Sequence, residues 1–444
     1  MKELIQGKNF FEKLFNKNHL PIILFIIVVI NYMPLFINNI NTMLSKAVTV
    51  KQMTIAFGIE CIILFLYLIK NIKFTKKIII NLLVLFLTSI IMFCIQIKNY
   101  YLGNLQIMDL ANIVCIAINI GILYITFLEI HIDEKNIYKF FAGIIIIGII
   151  ACIVNVIIYN KQFLNVLGIG TEAKVQSIKS FFAHRNQFAM FLYFSIISSI
   201  ILFIKTNKKI IKVLLGIILI LFSANLLLTA SRTGILCTLA FIGLFFITTD
   251  TLKLKTKLII ILISLIILGI VLGIIYKSFP DIWEKIVNVI SKVFIRESTI
   301  KTFTGRSKFW DLAFKVLFIG PISALFGIGR FVGIELLQSN GYNVTQFHSF
   351  YIEALVAGGV MELVYLISIY IIVMKNVLKS NIEKKYKLLY ISLYLSYAIY
   401  CGFESLGRFS IGCVDTMCLI FLITIPLLHS NTNKNEENNI NKER

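Results

Sequence analysis

The stretch IIIIGIIACIVNVII, from Ile144 to Ile158, contains no charged residue, and neither does LIIILISLIILGIVLGIIY, from Leu258 to Tyr276. A helix needs about 20 predominantly apolar residues to cross the hydrocarbon core of a bilayer. Over the 444 residues, 58% are hydrophobic and 15% are charged, whereas about a quarter of a soluble domain is charged. The sequence therefore predicts an all-α fold, a polytopic transmembrane helical bundle.

Apolar runs of this kind recur along the whole chain and predict about twelve spans. The predicted spans cover residues 20–38, 52–70, 78–97, 107–130, 138–159, 186–204, 211–229, 233–249, 258–276, 349–374, 388–404 and 411–428. The chain then divides into an N-terminus (1–19), spans one to nine (20–276), a long loop (277–348), spans ten to twelve (349–428) and a polar tail (429–444).

Lysine is concentrated in alternate short loops, which fixes the expected orientation. These loops lie near residues 70–77, 205–212, 253–257 and 375–387, and the positive-inside rule places them in the cytoplasm together with both termini. The long loop is then outside. Its sequence predicts one amphipathic helix over 281–294 and a second that starts near Thr304 and ends at Gly320-Pro321.

The net charge of +21 has the same explanation. Basic loops orient a membrane protein and contact anionic lipid, so we expect the lipid bilayer of the cytoplasmic membrane as partner and no nucleic acid. The eight cysteines all fall in predicted spans without a CxxC pair, which is typical of small buried residues. We therefore expect no metal site and no cofactor.

Six of the seven arginines are predicted to lie at the outer face, namely Arg185, Arg232, Arg296, Arg306, Arg330 and Arg408. Orientation alone would not distinguish arginine from lysine. A guanidinium grips phosphate with two parallel hydrogen bonds and stays charged when it is partly buried. Each arginine could instead pair with a glutamate or a lipid headgroup, but the group together favours binding of an anionic substrate.

Two of these arginines have a distinctive setting. Ser231-Arg232-Thr233-Gly234 forms a tight outer turn between two apolar spans, and a charge so close to the hydrocarbon is a functional hypothesis by default. Thr304-Gly305-Arg306 places an arginine where the second loop helix should begin. The open N–H groups of a helix N-terminus also favour an anion.

Two histidines, His184 and His348, accompany the outer arginines. Each could be an interface residue or a general base, because the ordinary histidine pKa lies near 6.5. Glu353 is a candidate to orient an arginine. Glu362 follows nine residues later, about 180° around an ideal helix, and is expected to face the bundle interior. His429 is expected at the cytoplasmic membrane interface.

Several segments together resemble the O-antigen ligase and O-antigen polymerase superfamily of bacterial membrane glycosyltransferases. They are Leu228 to Gly234, Gly305-Arg306-Ser307-Lys308-Phe309-Trp310 with Leu325 to Gly329, His348 to Gly359, and the upstream His184-Arg185-Asn186. The resemblance covers roughly residues 180–375, and the large outer loop between spans nine and ten agrees with it.

The resemblance implies an enzyme that moves a glycan from undecaprenyl diphosphate to an acceptor without a metal or a nucleotide sugar. It implies that Arg232 and Arg306 hold the diphosphate and that His348 binds or deprotonates the acceptor hydroxyl. Substrate binding and orientation would fall to the remaining candidates, Arg330, His184, Arg185, Asn186 and Glu353. The partner would be an undecaprenyl-diphosphate-linked oligosaccharide, and a chain-length regulator is a further candidate partner.

Three functions stay open at this point. The bias towards Ile, Lys and Asn is typical of an AT-rich genome and suggests a Gram-positive cell, which has no lipid-A acceptor. It therefore favours a polymerase of capsular or cell-surface polysaccharide over a ligase that uses a lipid, wall or protein acceptor. A flippase or transporter of polysaccharide lipid is the alternative of another class. A transporter should carry paired charges and broken helices near the membrane midplane, whereas here the candidate charges lie outside and most spans look uninterrupted.

Overall fold

A computed structural model describes residues 15–42, 50–71, 132–158, 179–182, 184–249, 306–342, 344, 346–405 and 413–432, together with isolated residues between 253 and 287. The helices in these ranges are α1 Leu20–Thr42, α2 Val50–Asn71, α3 Glu134–Ile158, α4 Arg185–Lys205, α5 Lys209–Leu228, α6 Arg232–Thr248, α7 Arg306–Leu317, α8 Pro321–Phe326, α9 Arg330–Ser339, α10 Phe350–Lys379, α11 Lys384–Phe403, α12 Cys413–Leu419 and α13 Ile425–Thr432. A π-helical segment, Ile420–Thr424, joins α12 to α13.

The helices coincide with the predicted spans wherever those spans are described. Four of them are long and apolar enough to cross a membrane: Glu134–Ile157, Arg185–Lys205, Lys209–Leu228 and Phe350–Lys379. Leu20–Pro34, Arg232–Thr248 and Thr416–Ser430 are shorter apolar helices. Predicted spans 78–97 and 107–130 lie outside the described residues, as do most of span 258–276 and most of the loop helix 281–294. The total of twelve spans and the orientation therefore stay predictions.

Helix α4 is the centre of the bundle. Every side chain from Phe188 to Ser199 is buried, and the ring of Phe194 stacks on Phe421 with centroids 4.4 Å apart. The hydroxyls of Ser195 and Ser199 donate to the carbonyls four residues earlier, so the buried polar groups are satisfied within the helix. A helix enclosed on all sides holds its first residues, Arg185 and Asn186, in a fixed position.

Helix α10 is broken at Gly359, contrary to the expectation of an uninterrupted span. Gly359 has φ 69° and ψ −162°, a conformation that glycine adopts without steric cost. The rings of Phe350 and Tyr370 have centroids 6.4 Å apart, although twenty residues at 1.5 Å each would separate them by about 30 Å in a straight helix. The chain therefore turns sharply between a first arm, residues 350–358, and a second arm, residues 360–379.

The loop before α9 stabilises this break. The carbonyl of Val356 accepts from the backbone N–H of Ile328 at 2.8 Å, and the carbonyl of Ala357 accepts from that of Gly329 at 3.2 Å. A Cβ added to Gly359 would collide with the backbone of Leu325. Residues 325–329 and 356–359, two segments that carry the resemblance, thus interlock through their backbones.

A cluster of polar side chains lies at the opposite end of α4 from Arg185. Lys205 pairs with Glu134 at 2.9 Å, Glu134 accepts from the hydroxyl of Tyr138, and the hydroxyl oxygens of Tyr138 and Tyr386 lie 3.1 Å apart. His429 is only 1% exposed and lies 3.4 Å from Glu134. Its ring is enclosed by three tyrosines and a carboxylate, and the interfacial location of His429 stays a prediction. We call these residues the far polar cluster.

Candidate active site

Four helices in the described part of the chain begin with an arginine: α4 with Arg185, α6 with Arg232, α7 with Arg306 and α9 with Arg330. None of the four has an acidic residue in its first turn. A cation at a helix N-terminus opposes the helix dipole, so these positions cost stability rather than add to it. A negatively charged ligand would reverse that cost, because the open N–H groups and the guanidinium both favour an anion.

Arg306 is held by the end of α11. One terminal nitrogen of its guanidinium donates to the carbonyl of Phe403 at 2.6 Å, and the other lies 3.3 Å from Oε1 of Glu404. The same carboxylate oxygen accepts from the side-chain amide of Asn186 at 2.7 Å. Glu404, with a side chain 3% exposed, thus joins the first residues of α4 and α7.

Glu404 is buried, and its carboxylate has two polar partners, the guanidinium of Arg306 and the amide of Asn186. A buried carboxylate is costly unless it is paired, so these two partners stabilise Glu404 in its position. Sequence reasoning missed Glu404, although a carboxylate at the last position of predicted span 388–404 is the signal that could have revealed it.

His348 has a backbone conformation that is rare for a residue with a side chain, with φ 55°. Both neighbours are fastened: the indole N–H of Trp310 donates to the carbonyl of Phe347 at 2.9 Å, and the N–H of Ser349 donates to Oγ of Ser405 at 3.0 Å. Non-glycine residues held at positive φ cluster at active sites because the surrounding contacts impose the strain. Here those contacts fix the direction of the imidazole.

The pKa of His348 is lowered to about 4. Burial is the main cause, followed by the positive charge of Arg306 and by His184. His348 is therefore neutral at pH 7 and able to accept a hydrogen bond or a proton. Arg306 is tied to Glu404, and Ser349, which follows His348, is bonded to Ser405, so both candidate residues lie beside the end of α11.

Gln346, a second residue that the sequence did not reveal, controls which ring nitrogen of His348 can act. Its amide nitrogen lies 3.1 Å from Nδ1 of His348. In this orientation the neutral ring carries its proton on Nε2. A 180° rotation of the amide presents its oxygen instead, which moves the proton to Nδ1 and leaves Nε2 able to accept. The choice of tautomer thus depends on a side chain two residues away.

Glu353 lies beside Arg330 and beneath the His348 segment. Nε of Arg330 is 3.8 Å from Oε1 of Glu353, which is an ion pair but too long for a hydrogen bond. The other carboxylate oxygen accepts from the backbone N–H of Phe347 at 3.0 Å. Glu362 is also buried, on the second arm, and contacts Gly358 across the break.

The remaining candidates lie at the same end of the bundle. His184 caps α4, with Nδ1 accepting from the N–H of Asn186 at 3.2 Å, and burial lowers its pKa, with smaller contributions from Arg185 and Lys179. Arg185 acts on Glu404 through its charge. Arg232 begins α6, and Gly234 in the same turn packs closely on Ala189 near the start of α4, so Arg232 lies at this end of the bundle too.

The structure therefore brings together a first group, His184, Arg185, Asn186, Arg306 and His348, around Glu404. Arg330 and Glu353 adjoin this group through Phe347, and Arg232 stands one helix away. Arg296 and Arg408 lie outside the described residues. Among the residues that are described, no three His, Cys, Asp or Glu side chains lie together as metal ligands would.

Residues 217–367 match the family model described as O-antigen ligase. The matched segment is about a third of the chain and includes Arg232, Arg306, Arg330, His348 and Glu353. It confirms the resemblance to the O-antigen ligase superfamily and, with the apolar helices, supports a multi-pass membrane enzyme of that kind. Asn186 and Glu404 lie outside it. The chain has no match among curated proteins.

Proposed function

We propose, from the O-antigen ligase match, that this protein transfers a glycan from undecaprenyl diphosphate to an acceptor hydroxyl at the outer face of the cytoplasmic membrane. The observation that carries the proposal is that the end of α11 anchors both Arg306, through Phe403 and Glu404, and the segment of His348, through Ser405. This places a fixed cation for a phosphate near a neutral imidazole for a hydroxyl. Within this function we favour the polymerisation of repeat units of a capsular or cell-surface polysaccharide.

The proposed reaction is a displacement at the anomeric carbon of the donor glycan. The acceptor oxygen forms a bond to that carbon, and the bond from the carbon to the phosphate oxygen breaks. The departing oxygen keeps the electron pair, so undecaprenyl diphosphate leaves as an anion. The acceptor proton passes to His348 and then to solvent. The reaction needs no oxidant, and every charge that develops has a partner in the site.

Arg306 is suited to the departing diphosphate. A guanidinium has five N–H donors, and within the described residues Arg306 directs two of its nitrogens to Phe403 and Glu404. Donors are left for phosphate oxygens, at the N-terminus of α7 where the helix dipole adds to the attraction. A positioned donor of this kind is often the largest contribution to catalysis, about 10²–10³-fold.

His348 becomes a better base once the donor is bound. Its low pKa arises partly from the charge of Arg306, and a bound diphosphate would offset that charge. The pKa would then rise towards neutrality, where a general base is most effective. Donor binding would thereby prepare the site to activate the acceptor.

A flippase or transporter is the second candidate function, and one observation favours it. Glu60 is fully buried near the middle of α2, and a carboxylate at such a depth often marks a transport pathway. The arginines, however, lie at helix N-termini around His348. The enzyme therefore accounts for more of the polar residues.

The deciding experiment supplies purified protein, reconstituted in vesicles, with undecaprenyl-diphosphate-linked repeat units. A ladder of products indicates a polymerase. A single addition to a lipid, wall or protein acceptor indicates a ligase. Unchanged substrate that moves between the leaflets would refute the enzyme in favour of a transporter.

A further inference from the structure

A groove opens beside the active site where α10 is broken. The second arm of α10 and helix α11 are joined at one end by residues 380–383, and the first arm bends at Gly359 so that Phe350 lies near Tyr370. The gap between them is a cavity of about 240 Å³, lined by Phe350 and Tyr351 at one end, by Tyr370 and Met374 on the second arm, and by Leu395 and Ala398 on α11. We call it the α10–α11 groove.

The wall of this groove is apolar even though it contains several tyrosines. The hydroxyl of Tyr351 donates to the carbonyl of Ala398 at 3.0 Å, and the hydroxyl of Tyr394 donates to that of Leu422 at 2.7 Å. With the hydroxyls of Tyr351 and Tyr394 bonded to the backbone, the lining of the cavity is almost entirely aromatic and aliphatic carbon. Such a surface suits a hydrocarbon and offers little to a sugar or a phosphate.

The position of the groove connects two environments. Its first residues, Phe350 and Tyr351, directly follow His348 and Ser349, and its Cys401 lies three residues before Glu404. Away from the site, its lining includes Ile371 and Leu395, which are 53% and 47% exposed on the apolar outside of the bundle. Along α11 it extends from Tyr394 to Cys401, about 10 Å at 1.5 Å per residue.

We propose that the α10–α11 groove binds the polyisoprenyl chain of the donor, in the portion next to the diphosphate. The proposal rests on the proposed function for the identity of the headgroup. A ligand with an anionic head and an apolar tail matches a cationic pocket that continues into a hydrocarbon-lined groove. Because the groove is open at its side, the chain can enter from the bilayer without threading through the bundle.

Photo-crosslinking tests the occupant directly. The probe is a polyisoprenyl diphosphate that carries a diazirine within its first isoprene units, added to the full-length protein in nanodiscs. We expect mass spectrometry to find adducts on Tyr370, Met374 and Leu395, and unlabelled polyisoprenyl diphosphate to suppress them. Labelling by a phosphatidylglycerol with a diazirine in its acyl chain, at the same residues and without such competition, would show ordinary membrane lipid there and overturn the proposal.

A groove-filling variant provides the matched comparison. Ala398→Phe fills the groove, whereas Ile399→Phe adds the same ring at the next residue, which is exposed and outside the lining. We expect Ala398→Phe to lower adduct formation about tenfold, and Ile399→Phe to leave it unchanged. If Ala398→Phe does not fold, Leu395→Trp serves the same purpose at an exposed position. Equal labelling of a folded groove variant and of the control would refute the proposal that the groove binds the polyisoprenyl chain.

The two proposals fail differently. If the protein is labelled as expected but transfers no glycan, the proposal for the groove stands and the proposed function is refuted. In a transferring enzyme, Ala398→Phe should lower kcat/KM about tenfold for a long-chain donor and leave a donor with a two-isoprene chain unaffected. Equal kcat/KM for both chain lengths in the unmodified protein would refute chain binding in the groove, while the proposed transferase function would stand.

Discussion

The side-chain amide of Asn186 donates to Oε1 of Glu404 at 2.7 Å, so the first turn of α4 is bonded to the residue that follows α11. That carboxylate also faces the guanidinium of Arg306. The guanidinium proposed to hold the diphosphate is therefore positioned by two residues that lie outside the segment matched to the O-antigen ligase family.

Replacement of Glu404 by Gln should lower kcat/KM for glycan transfer about 10–100-fold. The amide preserves the shape but removes the negative charge that holds the Arg306 fork, and a displacement of about 1 Å can cost 10²-fold. Glu383→Gln, at the other end of α11, is the control because that carboxylate is exposed and pairs with Lys385. Equal kinetics of the two variants would remove Glu404 from the site.

Arg306→Lys should lower kcat about 10²-fold or more, although the positive charge is retained. Lysine offers a single ammonium and cannot donate in parallel to a diphosphate while it also contacts Phe403 and Glu404. Lys308→Ala removes a cation two residues along the same helix and should have little effect. Polymer of normal length and yield from Arg306→Lys, and likewise from His348→Ala, would contradict the assignment.

The pH dependence should report the low pKa of His348. If catalysis requires the neutral imidazole, activity is complete above the folded-state pKa and is lost as the pH falls through about 4. The kcat/KM profile of the unmodified enzyme should therefore lack an inflection near pH 6.5.

Gln346→Glu should move that acid limb to higher pH. A carboxylate beside Nδ1 stabilises the imidazolium and raises the pKa of His348, and it also holds the proton on Nδ1 so that Nε2 can accept. Gln338→Glu is the control, since Gln338 is exposed on α9. An acid limb at the same pH in Gln346→Glu and the control would show that His348 does not take up the limiting proton.

Gly359→Ala should destabilise the protein by about 1–3 kcal/mol, because alanine at positive φ is strained and its Cβ would meet the backbone of Leu325. The thermal unfolding midpoint measures this. Gly243→Ala is the matched control: a Cβ there meets open space within α6, and helix propensity favours alanine by up to about 1 kcal/mol. A similar midpoint shift for both would show that the break at Gly359 is not required.

The sequence predicted the features that depend on local pattern. The bounds of α4 and the end of α7 before Gly320-Pro321 follow from apolar periodicity and from helix-breaking residues, and the structure agrees. The predicted start near Thr304 lies outside the described residues. It placed Glu353 near an arginine, which the Arg330 pair matches. The catalytic and binding roles assigned to these residues stay predictions.

The features that the sequence did not reveal all depend on contacts between distant segments. Gly359 reads as one more small residue in an apolar run until the loop at Leu325 to Gly329 packs against it. Glu404 and His429 look like ordinary residues at the ends of spans. Only the packing of α4 and α7 on the end of α11 shows that Glu404 is buried, and only the packing of α3 and α11 shows it for His429. Burial of a polar residue is a property of the assembled bundle.

The far polar cluster helps to hold helices α4 and α11 together along one side of the candidate active site. Helices α4 and α11 are tied at one end by Asn186 and Glu404 and at the other through Lys205, Glu134, Tyr138 and Tyr386. Two helices joined at both ends resist separation, whereas α7 is joined to α11 only at its Arg306 end. We therefore expect a bulky donor to be admitted by movement of α7 rather than of α4 or α11. Amide hydrogen exchange should accordingly be faster in α7 than in the first two turns of α4. Slower exchange in α7 would exclude the idea that α7 moves while α4 stays fixed.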